Sequence, residues 1–282
     1  MKQVAVVSGK GGTGKTTIAA MFYSIENCIL ADCDVDTPNL HILLKPKVLE
    51  KHDFVSAKKA HITEKCTSCG LCIELCRFDA IQENDHYFID QKRCEGCAFC
   101  YYACPEKAIE LKEVKTGEIY ISKTGVGFFV HALLDPGEEN SGKLVTEVKQ
   151  KAVDIAKREG IDLVLIDAAA GIGCPVIASL TNTNLAIVVS EPTMSGLRDM
   201  KRAIELAKHF NIESLVVINK FDLNRSVTSK IEEYCKKNNL EIVGKIPFDE
   251  NLIKQLSNLE FPFKGQAAEK IIEIWDKVKE VL

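Results

Sequence analysis

No stretch of this sequence stays apolar for the about 20 residues that a helix needs to cross a bilayer. No export signal stands before its first apolar run. Stable membrane insertion is therefore not expected. Charge of one sign is scarce too: 36 Lys and Arg against 40 Asp and Glu leave −4, which gives no electrostatic reason to expect nucleic acid or an anionic membrane as a partner. The six histidines show no paired spacing of the kind metal sites use. Cysteine, by contrast, is plentiful, with twelve in 282 residues. Thiols without an export signal point to metal or cluster ligation in a reducing cytoplasm rather than to disulfides. Residues 60–112 carry six Lys/Arg against nine Asp/Glu, so most of the acidic excess travels with the cysteines. That suits docking on a redox partner, although an ordinary solvated surface gives the same count.

Eight of the cysteines fall in two runs of one spacing. Cys66, Cys69, Cys72 and Cys76 read C-x2-C-x2-C-x3-C, as do Cys94, Cys97, Cys100 and Cys104, with Pro105 after the last. This is the spacing by which bacterial ferredoxins hold two 4Fe–4S clusters, the fourth cysteine of each run crossing to the other cluster. On that rule Cys66, Cys69, Cys72 and Cys104 form one set, and Cys94, Cys97, Cys100 and Cys76 the other. Structural zinc is the competing use of C-x2-C pairs. The surrounding segment repeats itself over about 61–81 and 89–109, with Phe78-Asp79-Ala80-Ile81 matched by Glu106-Lys107-Ala108-Ile109. Arg77 stands where the second run has Pro105, so the two cluster environments are not expected to be identical.

The rest of the chain alternates short apolar runs (2–8, 28–31, 162–166, 185–190, 215–219, 241–246) with helical patterns (15–24, 143–159, 195–210, 226–238, 266–281). That rhythm predicts an α/β fold, a mostly parallel sheet covered by helices on both faces. Between the first run and the first helix lies G-x-x-x-x-G-K-T, made of Gly9, Lys10, Gly11, Gly12, Thr13, Gly14, Lys15 and Thr16, with Thr17 directly after it. Such a loop turns backbone N–H groups onto phosphate at a helix N-terminus, with Lys15 reaching the β- and γ-phosphates and the Thr16 hydroxyl on Mg²⁺. Leu163-Val164-Leu165-Ile166-Asp167 is an apolar strand ending in an acid suited to holding Mg²⁺ through water. Asn219-Lys220-Phe221-Asp222 has the N-K-x-D form that reads guanine in GTPases.

The second lysine in this loop, Lys10, makes it resemble the deviant Walker A loop of the MinD/ParA family, to which the nitrogenase iron protein and the Mrp-type cluster carriers belong. The likeness extends over essentially the whole chain, and to those members of the superfamily that carry an inserted ferredoxin domain. It implies Mg²⁺-dependent ATP hydrolysis in an ATP-dependent homodimer, with Lys10 crossing to the partner's γ-phosphate. It makes Asp32-Cys33-Asp34-Val35-Asp36 a switch I, with Asp34 and then Asp36 as candidates to orient the attacking water. Ala168-Ala169-Ala170-Gly171 becomes a switch II in which alanines replace prolines and loosen the loop. In the family the equivalent of Asn219 contacts adenine, so ATP and GTP compete at Asn219 and Asp222, and the paired lysines weigh toward ATP. Pro247 would be a second base contact. Cys174, in switch II, has a counterpart in the nitrogenase iron protein that ligates a cluster shared across the dimer; the plainer expectation is a packed thiol.

The expected organisation is a discontinuous ATPase domain, 1–57 and 114–282, with a two-cluster ferredoxin-like insert at 58–113. The expected function is an ATP-hydrolysing iron–sulfur protein in the cytoplasm, coupling dimer closure to electron transfer toward a redox partner. Alternatives are a cluster-assembly carrier serving an apo-iron–sulfur protein and a positioning ATPase with sensor clusters. The C-terminal 270–278 segment reads as a helix packed on the sheet rather than the membrane-targeting helix of MinD proteins, and 137–142 as a cap or lip before the next helix.

Overall fold

The computed structural model describes residues 1–138, 142–261 and 264–282; half of the 137–142 lip, 139–141, falls outside them. In chain order the first elements are β1 (Lys2–Ser8), α1 (Lys15–Ile25), β2 (Ile29–Cys33), α2 (Leu40–Leu44) and β3 (Lys47–Ile62). Then come α3 (Leu71–Leu75), β4 (Ile81–Glu83), β5 (Tyr87–Ile89), α4 (Phe99–Ala103), β6 (Ile109–Lys123) and β7 (Phe128–Leu134). The remainder is α5 (Lys143–Glu159), β8 (Leu163–Ala170), α6 (Cys174–Leu180), β9 (Leu185–Ser190), α7 (Met194–His209), β10 (Glu213–Asn219), α8 (Arg225–Lys237), β11 (Glu241–Ile246), α9 (Glu250–Ser257) and α10 (Gln266–Val281).

Two compact units result, one of Met1–His52, Ile119–Leu133 and Glu139–Leu282, the other of Asp53–Glu118 and Leu134–Glu138. The sheet order is β11-β10-β9-β1-β8-β2-β7-β6-β3, and the pairs from β11 through β7 are parallel. The central strands β1, β2, β8 and β9 are buried almost throughout. Such strands need helices on both faces, and uniformly apolar runs meet that need.

In the first unit α1 and α10 lie on one face over Val4, Val6, Leu165 and Ile187. Phe22 and Trp275 meet with ring centroids 4.7 Å apart, and the Trp275 indole N–H donates to Glu26 at 2.8 Å. Ile271, Ile274, Trp275 and Val278 are all buried, so the apolar stripe of α10 is spent on the core. Gly244 in β11 is required there: a Cβ would lie 2.3 Å from Ile274. No helix among the described residues is long and apolar enough to cross a membrane.

The second unit is small, with β4 and β5 in an antiparallel hairpin and a core of Ala60, Ala80, Ile81, Ile89 and Ile109. Its internal repeat is visible in the backbone, since Asp79 and Lys107, at matching positions of the two halves, both have φ 49°. Buried Lys59 pairs with Glu138 at 2.6 Å and donates to the Gln91 carbonyl at 2.8 Å, which ties the 134–138 segment into this unit.

Candidate nucleotide and cluster sites

α1 begins directly after the glycine-rich loop, and what begins it is unusual. Its N-cap is Gly14 at φ 90°, with no side-chain cap and no acid in the first turn. The first N–H groups of the helix are thus left to an anion. Gly14 is held by conformation and by space, because a Cβ there would sit 2.3 Å from the Asn219 amide. Gly9 is equally confined, by the Asp199 carbonyl at 2.3 Å from the same virtual atom.

A cavity of about 560 Å³ opens above this loop, lined by Gly11, Gly12, Thr13, Gly14, Lys15, Thr16, Thr17, Asp34, Asp36, Asn219 and Pro247 among others. Gly9, Lys10, Asp167, Gly171 and Asp222 do not line it. Lys15 is buried and reaches Asp167 at 2.7 Å, Thr16 Oγ1 at 3.3 Å and Asp34 at 3.5 Å. Burial works against its charge, yet Asp167, Asp34 and Asp32 together hold it above its ordinary pKa.

Asp32 and Asp167 are neighbours in register on adjacent parallel strands β2 and β8, toward the C-terminal end of β2 and inside β8, which continues to Ala170. Burial, and after it the neighbouring Asp167 carboxylate, pushes Asp32 well up; burial pushes Asp167 up against the pull of Lys15. One carboxylate oxygen of each, Oδ2 in both cases, is buried without a partner. Orphaned hard oxygens beside the Thr16 hydroxyl are the donor set of a small divalent cation. Asp32 was not singled out in the sequence; a second acid directly behind an apolar run, like Asp167, was the available signal.

Lys10 points elsewhere. Its ammonium is paired with Glu191 and donates to Thr193 Oγ1 and Ser195 Oγ, both at 3.3 Å. Lys220 approaches the same Glu191 at 3.6 Å and donates to the Gly12 carbonyl at 3.1 Å. In the single chain, therefore, Lys10 is folded back against the turn before α7, residues that sequence motifs did not mark.

Asp34 accepts from the Thr37 hydroxyl at 2.9 Å, and Asp36 is an exposed residue of the cavity wall. Ala168, Ala169 and Ala170 are not a loosened loop but the last residues of β8, with Ala170 opposite Ser8. Alanine keeps the N–H that proline lacks and lets the ladder continue. The turn comes at Gly171, φ 100°, whose N–H donates to the Ser8 carbonyl at 2.9 Å. Cys174 is exposed at the start of α6, whereas Cys28, Cys33 and Cys235 are buried.

In the second unit the eight remaining cysteines divide four and four. Cys66, Cys69, Cys72 and Cys104 border one small cavity, and Cys76, Cys94, Cys97 and Cys100 another. Each set takes three thiols from one run and one from the other. Backbone N–H groups already point at sulfur, Ser68 N to Cys66 at 3.4 Å and Ala108 N to Cys104 at 3.3 Å. Among the described residues no group of three or more His, Cys, Asp or Glu has the geometry to hold a single metal ion. The donor set fits an iron–sulfur cluster in kind and number, with a hydrophobic backing from Ala60, Ile81, Ile89 and Ile109.

Residues 4–263 match the family model described as the CobQ/CobB/MinD/ParA nucleotide binding domain. An uncharacterized protein of Methanocaldococcus jannaschii is 33% identical over 287 residues, covering 99% of this chain and 97% of that one. An uncharacterized ferredoxin of the same organism is 39% identical over 57 residues, 18% of this chain and 74% of the ferredoxin. Among solved structures, the septum site-determining protein MinD complexed with Mg-ADP from Pyrococcus horikoshii superposes with a TM-score of 0.58 at 16% identity, over 99% of this chain and 96% of that one.

Proposed function

Because the chain belongs to the CobQ/CobB/MinD/ParA family of nucleotide-binding domains, we propose that it is a Mg²⁺-dependent ATPase that couples dimer closure to electron transfer through two 4Fe–4S clusters. Residues 1–57 and 114–282 form the ATPase part in this reading, and 58–113 the ferredoxin-like part. The observation that carries it is the four-and-four grouping of thiols drawn from both runs, within a chain whose first helix starts uncapped over a phosphate-sized loop.

Each residue has a task that follows from its position. The free N–H groups at the start of α1 and the ammonium of Lys15 bind the β- and γ-phosphates. Thr16, with Asp167 and Asp32 behind it, would hold Mg²⁺, which neutralises phosphate charge when bound. Asp34 sits 3.5 Å from Lys15, near enough to the terminal phosphate to orient a water. Asn219 and Pro247 flank the base. With a cation held there, Asp32 and Asp167 would no longer face each other as unneutralised carboxylates, so this buried pair would stabilise the loaded site more than an exposed pair would.

Lys10 must leave Glu191 to serve a partner subunit. A cation delivered in trans stabilises phosphate charge only when two chains close, which ties turnover to dimerisation. The clusters would pass single electrons to a redox partner. Anaerobically purified protein should contain about eight iron atoms per chain, and its EPR spectrum should change on adding ATP and Mg²⁺. Material without iron or sulfide ends this reading. Intact clusters that move quantitatively to an apo-iron–sulfur protein on ATP addition replace it with the carrier function.

A further inference from the structure

We propose that Asp222 is a positioning residue that fixes the rim of the base pocket in a form suited to adenine, without itself touching the base. This rests on reading the 560 Å³ cavity as the nucleotide site. In N-K-x-D sites that read guanine the Asp faces the base. Here Asn219, Pro247, Phe248 and Asp249 line the cavity and Asp222 does not.

One oxygen of the Asp222 carboxylate is spent on main chain. Its Oδ1 accepts the Phe248 N–H at 2.8 Å, while the adjoining Phe221 N–H donates to the Ile246 carbonyl at 3.1 Å. The far side of the same turn is pinned by Asp249. One of its oxygens accepts from Asn251 N at 2.9 Å and Leu252 N at 3.4 Å, the other from Ala267 N at 3.3 Å. Asp249 is thus also unavailable as a guanine reader. Asn219 is turned inward as well, donating from Nδ2 to the Thr13 carbonyl at 2.7 Å and accepting from Lys220 N at 3.0 Å.

Guanine offers two neighbouring donors, N1–H and the 2-amino group, and needs an unengaged carboxylate to accept them. At this end of the cavity Asp249 commits both oxygens to main chain, and Asp222 commits Oδ1 and stands outside the lining. Toward the base the cavity offers the backbone of Pro247–Asp249 and the apolar side chains of Leu252 and Ile253, with Lys220 beside them. Pro247 has no N–H, so its peptide group only accepts. The Pro247 peptide, accepting only, suits the exocyclic amine of adenine and opposes the 6-keto oxygen of guanine. Leaving polar groups unpaired is what makes such discrimination strong.

The test is equilibrium titration of the full-length protein with fluorescent ATP, GTP and XTP analogues, using wild type, Asp222→Asn and Asp222→Ala. Asparagine keeps an acceptor for the Phe248 N–H, so Asp222→Asn should bind all three as wild type does, with ATP preferred. Alanine releases the turn: ATP affinity should fall roughly tenfold, about the value of a charge-assisted hydrogen bond, and amide exchange at 248–252 should accelerate in the nucleotide-free protein. A base-reading Asp gives the opposite pattern, because an asparagine N–H complements the 2-keto group of xanthine. Gain of XTP binding by Asp222→Asn, or a wild type that prefers GTP, overturns the inference and leaves the nucleotide site intact. A wild type that binds none of the three overturns the site itself and the inference with it. Should Asp222→Ala not fold, the XTP response of Asp222→Asn alone separates a positioning Asp from a base-reading one.

Discussion

Two carboxylates, Asp32 and Asp167, face one lysine at the base of the phosphate loop, and each keeps a buried oxygen unpartnered. That arrangement costs stability until a cation arrives. Asp32→Asn should therefore raise the nucleotide-free melting temperature, by about 2–4 °C for a relief near 1 kcal/mol. The same change should lower the affinity for Mg²⁺ and cut ATP turnover by at least about tenfold. Calorimetry beside a Mg²⁺ titration of turnover checks both, and a melting point that falls contradicts the account. Lys10 is argued at the same scale. Because it rests on Glu191, Thr193 and Ser195 and not in the cavity, Lys10→Ala should leave ATP binding within about twofold while turnover falls by about 10³, the size of effect known for a cation supplied in trans.

Among the elements, β7 carries a group whose titration limits acid stability. His131 is buried between the rings of Phe129, Tyr120 and His41, at centroid distances of 4.7, 5.0 and 5.5 Å. Burial, and then the neighbouring His41, lowers its pKa from 6.5 to about 4. A base with a depressed folded pKa contributes stability above its unfolded pKa and loses it as pH falls, here between about 6.5 and 4. The loss amounts to about 3 kcal/mol at the bottom of that window. His131→Phe preserves a flat ring and removes the titration, so its melting temperature should fall less from pH 7 to pH 4.5 than that of wild type. Parallel acid slopes for the two proteins would rule His131 out. β7 itself, with α2, α6, α9 and the long strands β3 and β6, was not foreseen from periodicity. α2 is only five residues long, and β6 has mixed burial without clean alternation. The helices α5, α7, α8 and α10 were legible to within one residue, because their apolar stripes recur at helical spacing over 13 residues or more.

For the whole molecule, the assignment of ligands across the two runs makes a prediction about pairs of variants. Cys66→Ser and Cys104→Ser should remove the same cluster, and Cys76→Ser and Cys94→Ser the other, each leaving about four of eight iron atoms. EPR of the reduced proteins should then sort the four variants into two matching spectra. If instead Cys66→Ser matches Cys76→Ser, each run serves its own cluster and the crossed assignment is wrong. Arg77 opposite Pro105 at the equivalent position gives a reason for the two spectra to differ.

Spacing alone determined a good deal: a glycine-rich loop between strand and helix, an acid behind an apolar run, eight thiols in two equal runs, and the alternation that makes a parallel sheet. These are local facts, set by covalent neighbours and by the period of a helix or strand. The placement of Asp32 opposite Asp167, the retreat of Lys10 onto Glu191 and the use of Asp222 to hold a backbone turn were decided only in the folded chain. Each depends on residues dozens to well over a hundred positions apart becoming neighbours, and strand order and register bring that about without leaving a trace in any short window of sequence.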